Sequence, residues 1–339
     1  MRKKLTKPTL PIHYSQQTIL PEDVKAVEKV LTSGWIAGSG PTTQKFEESV
    51  ADFTGYRFAI AVANASVGLE IAYKWFFNKM KYIYIPTLTF VATANMAYRQ
   101  GLEVKFADAD DKTLAGYTPD VSISYAGYPL QGKGLVADDA HYLFDSMANY
   151  GSYKARIISH HAIKPLGNSG EGGTILTDDA EFSLFAREYR NHGRSNDGLT
   201  TFAGTNYRMT DIQSALLLSQ LDRWHQSNSR RHEIASYYRE QLFEYVELPP
   251  YHKRHSLHLF PIKFKSTEER DFVQSKLKER GIGTQINYRP VHMQPLYQHI
   301  AADCPVAEDH FARSLSIPIH LNLGEVELNY IVESIKELL

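Results

Sequence analysis

The sequence predicts an α/β protein with a mainly parallel central sheet and a smaller C-terminal α+β domain. Short β-like runs alternate in part with helical stretches, as when strands are joined by helical crossovers. At 339 residues the chain exceeds what one typical core fills, so a large domain plus a smaller one is expected. From Thr210 to about Tyr245 the pattern turns long, helical and charged, which puts the boundary near 240 and divides 1–240 from 241–339.

In chain order, Pro21–Thr32 reads as a helix with proline tolerated in its first turn, and Thr42–Phe53 as a second. Strand Phe58–Val62 runs into helix Ser66–Phe77, and strand Tyr82–Ile85 into helix Phe90–Gln100. Strands Glu103–Phe106, Val121–Ser124, Gly134–Asp138, Ile157–Ser159 and Gly173–Thr177 follow, then helices Ala180–Arg190 and Asp211–Arg223. Leu257–Phe264, Glu268–Arg280, Gly283–Asn287 and Glu325–Leu338 make up the smaller α+β unit. No repeat or low-complexity tract appears.

The formal net charge of -1 gives no basic field for nucleic acid, and no apolar run is long enough to span a bilayer. The basic start, "MRKKLTKPTLPIHYSQ", lacks the apolar core of a signal peptide, and the single cysteine, Cys304, has no internal disulfide partner. A cytoplasmic protein is expected. Cys304 stands in no nucleophile motif and reads as a passive thiol.

Four constellations fall at strand ends, where α/β proteins bind ligands. In "AVANASVGLEIAY" the start of a helix presents N–H groups and the positive end of its dipole. It seats a phosphate on one reading, with Ser66 adding a hydroxyl, and is an ordinary serine N-cap on the other. In "GLVADDAHYLF" a strand ends in Asp138 and Asp139, with His141 two residues on; His160 and His161 offer a metal reading, but no zinc or iron spacing is present. In "IPTLTFVATANM" Phe90 leads a helix of small residues and is core on one reading, cofactor platform on the other. In "SHHAIKPLGNSGEGG" Lys164 precedes four glycines within seven residues, and serves either to neutralise an anion or to do covalent chemistry. Together they supply a phosphate seat, a carboxylate, an aromatic and a lysine, the set that pyridoxal phosphate requires.

From about Tyr14 onward the chain resembles the DegT family of sugar aminotransferases. The resemblance rests on "SGWIAGSGPTTQKFEESVADFTG", "TFVATANM", "DDAH", "SHHAIKP" with "GEGG", "RNHGRS", "GTNYRMTDIQSALLLSQL", "HLFPI" and "INYRPVHMQPLY". It implies the type I fold of pyridoxal 5'-phosphate enzymes, and a homodimer with shared active sites. By position, Lys164 matches the lysine that links the cofactor, Asp138 the partner of the pyridine nitrogen, and His141 the residue near the phenolic oxygen. Phe90 matches the ring-stacking aromatic; Ser66, Val67 and Ser159 match phosphate contacts, and Asn206 a phosphate contact made in the neighbouring subunit. Tyr288 and His292, in "NYRPVH", are the substrate candidates, and Asn287 stands where many relatives have histidine. By the same resemblance Asp138 holds the pyridinium proton, and Asp139 is expected to tolerate replacement by asparagine.

The resemblance further implies a two-stage reaction in which L-glutamate gives its nitrogen to a keto sugar carried by a nucleotide. "YSQQTI", "TFVATANM", "HHAIKP" and "YRPVHMQPLYQHI" look most like the enzymes of pseudaminic acid synthesis, which aminate C4 of a UDP-linked 4-keto-6-deoxy-N-acetyl-hexosamine. Siblings acting on GDP or dTDP sugars at C4 or C3, and a non-catalytic binding protein of the same fold, are the alternatives. One departure is plain. Between "FADADDKTLAGYTPD" and "SISYAG", and between "YPLQGKG" and "LVADDAH", the family carries helices for which this chain has no room, so reduced helical cover of the sheet is expected.

Overall fold

The computed structural model describes Pro8 and residues 11–146, 151–167 and 170–339; the basic start, residues 1–7, lies outside them. Helices α1 (Pro21–Ser33) and α2 (Pro41–Thr54) precede strand β1 (Phe58–Val62) and helix α3 (Ala65–Phe76). Strand β2 (Tyr82–Pro86), helix α4 (Ala92–Arg99), and strands β3 (Glu103–Ala107), β4 (Val121–Ile123), β5 (Lys133–Asp139), β6 (Ser152–Ser159) and β7 (Gly173–Thr177) follow. Helices α5 (Ala180–Tyr189), α6 (Asp211–Asp222) and α7 (Trp224–Leu242) lead to the last part of the chain. There β8 (Phe260–Lys263) and β9 (Ser314–Ile317) accompany α8 (Thr267–Glu279), α9 (Pro305–Arg313) and α10 (Glu325–Lys336).

Five strands form one sheet in the order β1–β7–β6–β5–β4, in which β7 alone runs against its neighbours. The mainly parallel sheet expected from the sequence is present. Strands β2 and β3 pair parallel with each other but not with β4. Gly116 takes the outer edge of β4, exchanging both backbone hydrogen bonds with Ile123. Side chains bridge the remaining gap: Thr118 Oγ1 donates to the Tyr84 carbonyl at 2.9 Å, and the Tyr84 N–H donates to Asp120 at 2.8 Å. The two helices missing from the sequence pattern are absent here too, since neither β3–β4 nor β4–β5 is joined by an α-helix.

Two expectations are corrected. Gly283–Asn287 forms no strand; its one pairing is the bridge from Gln285 to Ser316. Phe90, expected to lead a helix, stands in the turn ahead of α4, whereas the helix expected at Asp211–Arg223 is present as α6, with α7 starting directly after Arg223. The charged helix α7 buries Ile234, Ala235, Tyr238 and Leu242 in a core shared with Phe260, Ile262, Leu315, Ile317 and Ile331. A separate core gathers Ile60, Val62, Ile157 and Ile175 from the sheet with Leu69 and Ile71 of α3. Helix α6 is tied to α2 through Asp211, whose carboxylate accepts from the N–H groups of Gly40, Thr42 and Thr43 at 3.0–3.2 Å, capping the start of α2.

Alternation along β5 sends its two aspartates to opposite faces of the sheet. Asp139 is fully buried and accepts from Arg156 Nη1 at 2.6 Å and from Ser124 Oγ. Arg156, 1% exposed, donates its Nε proton to Tyr56 and lies over the rings of Phe144 and Tyr153. The tolerance expected of Asp139 is therefore overturned: an amide there leaves a buried guanidinium without its counter-charge. We predict that Asp139→Asn lowers unfolding free energy by roughly 3–5 kcal/mol, read by urea denaturation, and that adding Arg156→Met restores part of the loss. A variant as stable as the parent would refute this.

Candidate active site

A cleft of about 750 Å³ opens at the ends of β4, β5 and β6 and the start of α3. Ser66, Val67, Phe90, Asp138, His141, Ser159, Lys164 and Tyr288 all line it. Residues 222 positions apart in sequence, Ser66 and Tyr288, thus share one wall system.

At the centre, Asp138 Oδ2 accepts from Thr93 Oγ1 at 2.7 Å and Oδ1 from the Ala140 N–H at 3.1 Å. Burial pushes the Asp138 carboxyl up, while those two donors and the charge of Lys164 oppose the rise. Lys164 is half-buried in the cleft wall, and desolvation brings its ammonium down to about 7 against the pull of Asp138. A lysine so placed is about half unprotonated at neutral pH and largely a free nucleophile above it. Lys164 Nζ lies 3.4 Å from His258 Nε2, and the His258 ring stands 4.5 Å from that of His141.

His141 has a defined tautomer. The Ala126 N–H donates to its Nδ1 at 3.1 Å, so in the neutral ring the proton sits on Nε2, which donates to Tyr288 Oη at 3.1 Å. Burial and the nearby Lys164 hold its pKa well below the usual range, which keeps the ring neutral. His141 is therefore a donor aimed along the cleft wall.

The loop carrying Lys164 is fixed by the histidine four residues before it. His160 Nδ1–H donates to the Leu166 carbonyl at 3.0 Å, and Nε2 accepts from Thr174 Oγ1 at 2.8 Å. Burial lowers its pKa to about 4, so this clamp stays neutral. The glycines around it serve the chain's own packing. A Cβ on Gly167 would stand 2.6–2.9 Å from the carbonyl oxygens of His161, Ala162 and Lys164, and one on Gly173 would meet Asn64 and Ala65 backbone at 2.6–2.8 Å. Gly173 thereby lets β7 lie against the start of α3.

At that start the N-cap is Asn64, not Ser66: Asn64 Oδ1 accepts from the Val67 N–H at 3.0 Å. This leaves the Ala65 and Ser66 N–H groups and the Ser66 hydroxyl for an anion, with the Val67 N–H already engaged. Across the cleft the Phe90 ring, 56% exposed, stands 5.7 Å from the ring of Tyr288. Tyr14 Oη donates to Asn287 Oδ1 at 2.8 Å, which orients the Asn287 amide.

Two predicted residues are not brought to this cleft. His292 is held between Thr87 Oγ1 at 2.7 Å and Glu308 at 3.1 Å and does not line it, so its expected substrate contact is corrected to a link between the β2 turn and α9. Asn206 lies exposed on the surface, bridged to Asn191. His258, Thr93, Tyr14 and Asn64 were not singled out from sequence. Thr93 sits three residues after Phe90 in a quoted motif, and His258 is the one ring nitrogen donor inside the apolar run "LHLFPI". Cys304 is buried, which pushes its thiol up to about 12, in keeping with a passive role. Among the described residues no cluster suits a metal ion and no helix is long and apolar enough to cross a membrane.

The residues fit pyridoxal 5'-phosphate: a lysine near neutrality, a carboxylate held by two donors, an aromatic face, and unused N–H groups at a helix start lie around one cleft. The sequence model of the DegT/DnrJ/EryC1/StrS aminotransferase family matches residues 17–121 and 136–336. The interval it skips holds the direct connection from β4 to β5. Among solved structures, PseC of Helicobacter pylori, an aminotransferase of pseudaminic acid biosynthesis, is 28% identical with a TM-score of 0.89, over 97% of this chain and 99% of that one. DesI, solved with its TDP-sugar product, is 25% identical with a TM-score of 0.85, over 96% and 92%. The fold also matches the PLP form of the putative sugar aminotransferase Spr1654 of Streptococcus pneumoniae, 21% identical with a TM-score of 0.87 over 97% and 98%. The chain belongs to the DegT/DnrJ/EryC1/StrS aminotransferase family and is a pyridoxal 5'-phosphate-dependent sugar aminotransferase.

Proposed function

We propose that this enzyme transfers the amino group of L-glutamate to the C4 ketone of a UDP-linked 4-keto-6-deoxy-N-acetyl-hexosamine, in a pathway of the pseudaminic acid type. The likeness to PseC along nearly the whole of both chains carries this reading. The enzyme works in the cytoplasm as a homodimer with shared sites. Lys164 and Asp138 are its catalytic pair; Ser66, Phe90, His141, Ser159 and, from the other subunit, Asn206 hold the cofactor, and Tyr288 faces the sugar.

Pyridoxal 5'-phosphate, when bound, supplies an aldehyde for amines and an electron sink for the carbanion left when an α-proton departs. The chain does the rest. Lys164 Nζ, poised near neutral pH, is the base that takes and returns that proton. Asp138 holds a proton on the ring nitrogen, its own charge kept by Thr93 and the Ala140 N–H. His141 Nε2–H offers a hydrogen bond to an oxygen anion, and Phe90 covers one face of the ring.

Incubation with glutamate and a panel of 4-keto nucleotide sugars should give the UDP-N-acetyl-hexosamine derivative at least about tenfold higher kcat/KM than dTDP or GDP sugars. Preference for a dTDP sugar would replace the proposed substrate with one of the type that DesI binds. Borohydride trapping of the cofactor on Lys164, read by peptide mass, should rise about tenfold per pH unit up to about 7 and then level off. Asp138→Asn removes the charge that supports the ammonium, so the inflection should move to lower pH. An inflection near 10 would refute the assigned role. Lys164→Ala and Asn206→Asp should each be nearly inactive alone. An equal mixture with free subunit exchange should recover about a quarter of parental activity, since half the dimers carry one intact site. No recovery with mixed dimers present would place Asn206 in its own chain's site.

A further inference from the structure

His258 lines the cleft and is 7% exposed; its Nε2 lies 3.4 Å from Lys164 Nζ, and its Nδ1 is buried without a partner among the described residues. An apolar side chain would fill this place in "LHLFPI" without stranding a polar nitrogen, so the histidine carries a cost to folding that packing does not explain. The backbone on either side of the ring is tied down. The Ser256 and His258 N–H groups donate to the Gly127 and Ala126 carbonyls at 2.9 and 3.0 Å, the Leu257 N–H to His255 Nδ1 at 2.8 Å, and Arg231 Nη1 to the Leu257 carbonyl at 3.4 Å. Between them Leu257 takes a φ of 49°, the left-handed region that its side chain disfavours. These bonds hold a strained residue directly before His258 and fix the direction in which the ring leaves the chain.

The charged and titratable groups facing His258 are Lys164, His141, Arg231 and His161. Burial first, and then the charge of Lys164, hold its pKa well below the usual range, so the ring is neutral. A neutral imidazole has one donor and one acceptor. An ammonium offers donors only, so while Lys164 is protonated Nε2 is the acceptor and the ring proton sits on Nδ1. After the ammonium loses a proton, the amine still keeps one N–H on Nε2. Its lone pair then points away from the ring, and the open direction is the cleft. A ring protonated on Nε2 would instead occupy that lone pair and blunt the nucleophile.

We infer that His258 is a positioning residue for Lys164: its bare Nε2 accepts one N–H of the amine and leaves the lone pair directed into the cleft. The inference rests on Lys164 being the reacting amine. Failure of that premise shows as borohydride trapping on another lysine, whereas the arrangement of His258 is read on the chain without cofactor.

Two measurements on the full-length, cofactor-free protein test it. With isotopically labelled histidine, the ring assigned to His258 by its absence from His258→Gln should carry its proton on Nδ1 and leave Nε2 bare, read from the nitrogen shifts. Labelling of Lys164 with fluorodinitrobenzene, followed by peptide mass against pH, should show an inflection at about 7. His258→Phe excludes water but gives the ammonium no acceptor, so the inflection should fall by about half a pH unit or more. His258→Gln, whose carbonyl oxygen reaches the place of Nε2, should bring it back toward the parental value. In the holoenzyme His258→Phe should lower kcat about tenfold or more while KM for glutamate changes less than about twofold. If His258→Phe fails to fold, His258→Leu replaces it with the same expectations. The inference is overturned by a proton on Nε2, by an inflection unmoved or raised in the apolar variant, by a glutamine variant that behaves like the apolar one, or by an unchanged kcat.

Discussion

The structure turns on two adjacent carboxylates leaving the end of β5 by opposite faces. Asp138 enters the cleft and Asp139 enters the packed side, where Arg156 on the neighbouring strand meets it. The pairing of Ala137 with Arg156 puts Arg156 and Asp139 on one face, so the register of β5 and β6 and the placement of the catalytic acid are a single choice. A slip by one residue would bury Asp138 against Arg156 and turn Asp139 to the cofactor. The ion pair is expensive to break on one side only, and that asymmetry pins the register.

Burial is then used twice with opposite aims. Lys164 must lose its proton to act, and desolvation brings it to about 7. His160 must never gain one, and enclosure holds it near 4 while both ring nitrogens bond within the loop. The same desolvation that activates one side chain locks the other as a neutral clamp. Because Gly167 lies close to three carbonyls of the Lys164 turn, the loop has one compact path, and the lysine leaves it in a fixed direction.

How far this was legible in the sequence depends on how local each cause is. Helices α1, α2 and α5 and strands β1 and β7 follow from short-range pattern, and they formed within a residue or two of expectation. Asp138 was legible because it stands at the end of a strand, and Lys164 because it follows one closely, each inside a dense motif. Asn64 was missed beside Ser66, since either residue type caps a helix and only the backbone turn decides. Asp139 was misjudged because its reason for existing is Arg156, a contact made across a sheet register that no single motif states. His258 and Arg231 come to the Lys164 loop from beyond α6, by packing of the last part of the chain, and pattern alone gives no sign of that approach. Gly283–Asn287 was placed among the segments of the smaller α+β unit, but it carries Asn287 and Tyr288 into the cleft, and that path leaves only one bridge to β9.

The shortened connection from β4 to β5 shows why lost helical cover leaves the site whole. Parallel neighbours ordinarily need a crossover of about a dozen residues or more, usually helical, and here residues 124–132 suffice. That turn does work a distant helix would not. The Ala126 N–H sets the tautomer of His141, and the Ala126 carbonyl accepts from the N–H of His258 at 3.0 Å and of Leu259 at 3.2 Å. Next to it the Gly127 carbonyl accepts from Ser256 at 2.9 Å, and Tyr125 Oη bonds to the Asn287 carbonyl and to His310. The turn thereby gathers His141, His258 and Asn287, from three separate parts of the chain, at the mouth of β5. Removing a covering helix costs apolar burial on the outer side of the sheet, whereas lengthening this turn would displace the donors that define the inner side. The constraint on this connection therefore comes from the cleft, and the outer surface is what remains free to change.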